Sequence, residues 1–124
     1  MALAERILAV LAGLFGASGV ALAAAAAHLA AGTSLESAVL MALVHAPSML
    51  AGLAALRAGL LAPRIGYIGL SGLALGVLLF SGDLSVRAFW GHSFFPMAAP
   101  LGGMILILSW LALAIAGIFA RTTR

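Results

Sequence analysis

Among the ionisable side chains in or beside the long apolar stretches of this sequence, four stand out: His28, His45, Asp83 and His92. An ionisable group inside an apolar span is costly, which makes each a candidate for proton transfer or ligand binding. His45 is the strongest. It falls roughly 15 Å along the second span at about 1.5 Å per residue, and Pro47 and Ser48 follow it closely. Pro47 removes one helical hydrogen bond, and two readings follow. In one, a neutral His45 bonds the carbonyl that Pro47 leaves free. In the other, a kink opens a cavity where His45 relays a proton or holds a ligand. His28 lies near the end of the first span, where bonding to water or a lipid headgroup competes with a ligand role. Asp83 reads as a solvated cap closing the third span, paired with Arg87 four residues on. Ser48 and Ser81 complete the candidate set as hydroxyl partners.

Several chemistries find no support. His28, Asp83 and His92 offer nitrogen and oxygen donors suited to a metal, but no local motif such as HxxxH joins them, so no metal is assigned. A haem held by His28 and His45 needs both at one depth, and they differ by roughly 9 Å. The chain has no cysteine, which excludes disulfides, thiolate metal sites and a cysteine nucleophile. Neither GxSxG, HExxH, a P-loop nor GxGxxG is present. The expectation is a non-enzyme without a cofactor.

The elements that position these residues follow from composition. Of 124 residues, 65% are hydrophobic and 7% charged, against roughly 25% charged in an ordinary soluble domain. About 20 apolar residues cross a bilayer as a helix, and this chain has room for four crossings. The expected fold is all-α, an integral membrane four-helix bundle forming one domain over residues 1–124, with helices at about 4–31, 35–60, 65–82 and 98–120. A cleaved secretory signal competes for the first span, but its apolar run exceeds the usual 7 to 15 residues of such signals. Thr33-Ser34-Leu35-Glu36 has the form of a capping box opening the second helix. The third ends at Gly82, and residues 83–96 form a polar and aromatic connection suited to the headgroup interface.

Packing in lipid relies on close backbone approach, so small residues mark contact surfaces. Gly13 and Gly16 in the first helix and the Gly72/Gly76 pair in the third predict that these two helices pack most tightly, within one molecule or between two. Gly102 and Gly103 need only a local backbone reason, such as close helix contact.

The net charge is +3, but all six basic residues are arginines scattered along the chain, which argues against a nucleic-acid partner. Four crossings put Arg6, Arg57, Arg64, Arg121 and Arg124 on one side and Arg87 on the other. The arginine-rich side is cytoplasmic, so both termini are too.

The ordered set Ala27-His28-Leu29, His45, Phe80-Ser81-Gly82, Pro100-Leu101-Gly102-Gly103 and Trp110 resembles the domain of unknown function 423 (DUF423) family. That family comprises bacterial four-helix membrane proteins of similar length, with small eukaryotic relatives. The resemblance covers nearly the whole chain and implies fold and membrane location; it implies no activity. Where the family pattern has Gly-Ala-His, Tyr-Gln, Phe-Ser-Gly-Ser and Thr-Pro-x-Gly-Gly, this chain departs at Ala26, Leu40, Met41, Asp83 and Ala99. Those changes remove hydroxyl and amide groups that, on the resemblance, could form a polar network with the histidines.

The leading expectation is a non-enzymatic bacterial inner-membrane protein, a small subunit, assembly factor or scaffold acting through helix packing. Its partners are membrane lipids and either further copies or another membrane protein. The alternative is an oligomeric carrier or channel for protons, ions or a small solute using His45, with an enzyme acting on a lipid or quinone third. Convergence of His45, Ser48 and Ser81 on one polar cavity favours transport; separate bonding of each favours packing.

Overall fold

Every long apolar stretch is helical in the computed structural model, which describes residues 2–29 and 34–121. The helices are α1 (Leu3–Leu29), α2 (Leu35–Arg57), α3 (Pro63–Trp90) and α4 (Ala98–Ile118). Each is long and apolar enough to cross a membrane. Pro47 sits inside α2 without ending it. Thr33 of the capping box lies outside the described residues. Ser34 takes the N-cap position of α2 and makes no side-chain cap bond.

Helix three departs most from expectation. It starts two residues early, because Pro63 occupies the first helical position, where its fixed φ suits the turn and its missing N–H costs nothing. It then runs through Gly82 and Asp83 to Trp90, one glycine costing a helix only about 1 kcal/mol. The stop is Gly91, at φ 75°, a left-handed conformation that glycine enters without a Cβ penalty. Its N–H returns to the Arg87 carbonyl. α2 ends at Arg57 and α4 at Ile118, slightly short of the expected 60 and 120. The expected last residues of helix one, 30 and 31, lie outside the described residues.

Within one molecule, the pairing expected between helices one and three is corrected. α3 packs most extensively on α4 and α1 on α2, while α2 joins the two pairs through α3. α1 meets α3 sparsely, and among the described residues α1 and α4 do not meet. The bundle is therefore open along two sides. α3 is its centre, with 44% of its most apolar window buried against 22% in each other helix. Leu70, Leu73 and Val77 of α3 meet Met49 of α2, Phe15 of α1 and Leu106 of α4 in the main core.

The glycines explain the pairing. At Gly72 an added Cβ would collide with the Ser109 hydroxyl, and at Gly76 it would meet Leu106 at 2.6 Å and the Gly102 carbonyl at 3.1 Å. Both belong to the α4 interface. Gly16 faces Ala46 of α2, and Gly13 has nothing within 4 Å of its would-be Cβ. Gly102 is the tightest point among backbones, since a Cβ there would stand 2.6 Å from the Phe80 nitrogen and 2.9 Å from the Gly76 carbonyl.

Backbone atoms cannot swing aside as a flexible side chain can. Gly102→Ala is therefore expected to lower stability by about 1–3 kcal/mol, the usual range for overpacking. At Gly103 the nearest atom to a Cβ is 3.8 Å away, so Gly103→Ala should be neutral or stabilising. Reversible unfolding in mixed micelles checks both.

Candidate functional site

His45 is 4% exposed and bonded at both ring nitrogens. Nδ1 lies 2.7 Å from the Met41 carbonyl, and Nε2 lies 3.1 Å from Nε1 of Trp110 on α4. Indole N–H can only donate, so Nε2 must accept and Nδ1 must carry the proton that the Met41 carbonyl receives. The imidazole in this arrangement is neutral. The carbonyl differs from the one expected, because Pro47 frees that of Leu43 while His45 turns back one helical turn to Met41. The bond to Trp110 spans α2 and α4, whose backbones stay apart. The two rings sit with centroids 5.8 Å apart and tilted by 54°.

Asp83 is not a solvated cap. With α3 continuing past it, its side chain is 0% exposed. Oδ2 accepts from Nε of Arg87 at 2.9 Å, the expected pair one turn on, and Oδ1 accepts from the Phe94 N–H at 2.8 Å. The carboxylate thus ties the segment after α3 back against the helix. Phe94 extends the tie, since its ring packs on Gly82, 2.8 Å from where a Cβ would stand.

A second carboxylate cluster occupies the opposite end. Glu5 accepts from the Tyr67 hydroxyl at 2.8 Å, from Arg57 Nη2 at 3.0 Å and from the Ala2 N–H at 3.1 Å. It fastens α1, α2 and α3 at one point. Glu5 is not among the residues that the sequence singles out. The available signal was that four crossings bring Glu5 and Arg57 to one side with opposite charge.

The serines do not converge with His45. Ser81 donates to the Ala38 carbonyl across the α2–α3 interface at 2.8 Å, while Ser48 donates to Val44 within α2 at 2.7 Å. His28 and His92 are exposed and Asp83 is buried between other partners. Among the described residues no three His, Asp or Glu side chains are placed to hold a metal ion. A groove of about 420 Å³ opens between α1 and α3, lined by Phe15, Ser18, Leu22, Leu78, Ser81 and Ser85 among others.

A family model described as "Protein of unknown function (DUF423)" matches residues 8–103. The chain belongs to the DUF423 family. No curated protein and no solved structure matches it. The DUF423 match runs from α1 into the first turns of α4 and contains His28, His45, Ser81 and Asp83; Trp110, the partner of His45, lies beyond it.

Interhelical bonds between polar side chains in membranes contribute about 0.6 kcal/mol on average and up to about 1.7. A double-mutant cycle with His45→Phe and Trp110→Phe should return a coupling in that range. Asp83→Ala should speed hydrogen exchange at the Phe94 amide while leaving the α1–α2 amides unchanged.

Proposed function

We propose that this DUF423 chain is a multi-pass protein of a bacterial inner membrane, with both termini cytoplasmic. It acts without catalysis, as a small subunit, assembly factor or scaffold. One observation carries the reading: among the described residues no buried side-chain nitrogen or oxygen lacks a hydrogen-bond partner. The bonds of His45, Ser81, Asp83 and Glu5 join helix to helix or helix to loop. Polar groups spent on joining elements are spent on assembly. A relay needs neighbouring groups to pass a proton on, and both nitrogens of His45 are engaged by a carbonyl and an indole.

The surfaces of α1 and α4 supply the rest of the argument. Val10, Leu14 and Val20 on α1 and Ile107, Leu108 and Leu111 on α4 are exposed, as suits helices that face lipid or a neighbouring protein. The orientation draws on the arginines. Glu5 joins the start of α1 to Arg57, and Ala62 donates to the Ala116 carbonyl near the end of α4. These links bring Arg6, Arg57, Arg64 and Arg121 to one end of the bundle, with Arg87 at the other. Cytoplasmic loops carry the arginine excess.

Native mass spectrometry of the protein released from its own membrane should show a defined oligomer or a reproducible protein partner. A lone monomer would sink the scaffold reading, as would proton or ion flux through vesicles that His45→Phe abolishes. Because the chain has no cysteine, single substitutions report topology directly. In intact cells an impermeant maleimide should label Ser93→Cys, and should label Ala58→Cys and Arg121→Cys only after permeabilisation.

A further inference from the structure

The groove between α1 and α3 is the part of the chain that the packing role leaves unexplained. Its ten lining residues include no charged side chain but three serines, Ser18, Ser81 and Ser85. Ser81 and Ser85 donate their protons to the carbonyls of Ala38 and Ser81, so each keeps oxygen lone pairs free to accept. Ser18 differs from them. It is exposed, and among the described residues it donates to no carbonyl of the chain. An unpaired hydroxyl in hydrocarbon is unfavourable, and Ser18 is free to donate to an occupant of the groove.

The helices set these hydroxyls at related heights. α1 and α3 run in the same direction and are pinned together where Glu5 meets Tyr67. Equal rise along both helices then brings Ser18 level with Phe80 and Ser81, with Ser85 one turn further out. Ser81 also bonds Ala38, three residues into α2, which places the polar part of the groove about 5 Å below the start of that helix. Below it the walls are Phe15, Val77 and Leu78.

With the helices in a membrane as proposed above, the geometry points to a binding site for a neutral lipid alcohol. One aliphatic chain lies against Phe15 and Leu78, and the hydroxyl exchanges hydrogen bonds with Ser18, Ser81 and Ser85 just beneath the outer interface. The uncharged lining decides the class. A phosphate in this groove would meet no cation among the lining residues, whereas a hydroxyl can donate to Ser81 or Ser85 and accept from Ser18.

The test is photocrosslinking of the full chain in phosphatidylethanolamine–phosphatidylglycerol vesicles. They carry either a diacylglycerol with a diazirine in its acyl chain or phosphatidylglycerol with the same diazirine chain, and peptide mass spectrometry locates the label. The diacylglycerol probe should mark residues 15–22 and 77–85 preferentially, while the phosphatidylglycerol probe spreads over all lipid-facing helices. Ser18→Val removes one hydrogen bond at an exposed position and should lower groove labelling about three- to tenfold. Ala21→Leu, which fills the groove, should abolish it, and Ala24→Leu outside the lining should leave it unchanged. Equal labelling of the groove by both probes, indifference to Ser18→Val, or a crosslink from residues 15–22 to a second copy would overturn the inference while leaving the membrane placement standing. Absence of label on every helix would overturn the membrane placement as well.

Discussion

Gly102 touches the backbone of α3 at Phe80 and Gly76, and the rest of the bundle takes its shape from that approach. In an apolar medium two helices gain nothing from hiding leucines, because lipid tails are equally apolar. What remains is dispersion, which falls away over a fraction of an ångström and so rewards surfaces that let backbones meet. Glycines at 72, 76 and 102 provide such a surface between α3 and α4. α2 then closes on the other side of α3 through Gly52, where a Cβ would collide with Leu70. α1 is held chiefly by α2, with Gly19 admitting Leu43 and Gly16 admitting Ala46.

Polar contacts are arranged on this frame by height. Glu5 with Tyr67 and Arg57 fastens one end, His45 with Trp110 bridges α2 and α4, and Asp83 holds Phe94 at the far end. Each is a donor and acceptor satisfied between elements, the condition under which a polar group survives burial. The carboxylates in particular accept more than one bond each, which offsets the cost of removing their charge from water.

Much of this was legible in the sequence, and the failures share a cause. Four apolar runs and the pairing of Asp83 with Arg87 follow from composition and spacing. The packing partners do not, because each helix is apolar all the way round and no polar face tells inside from outside. Small-residue spacing therefore marked Gly72 and Gly76 as a contact surface but assigned it to α1, whereas within the chain it meets α4. The end of α3 was misplaced because Gly82 and Asp83 read as a stop, whereas the stop is the left-handed Gly91. Trp110 was visible as a residue and invisible as a partner, since an indole 65 positions from His45 becomes its neighbour only through the fold.

The four helices are not one length. α3 has 28 residues and α4 has 21, about 42 Å and 32 Å of rise, beside a hydrocarbon core of about 30 Å. α4 matches that thickness and α3 exceeds it, so a bilayer fitted to α4 leaves about two turns of α3 outside, with Phe89 and Trp90 exposed at the tip. A protein of this build has two hydrophobic rulers joined side by side. A thicker membrane would draw the tip of α3 into the acyl region and a thinner one would tilt the pair, so membrane thickness enters the energetics of where such a chain resides.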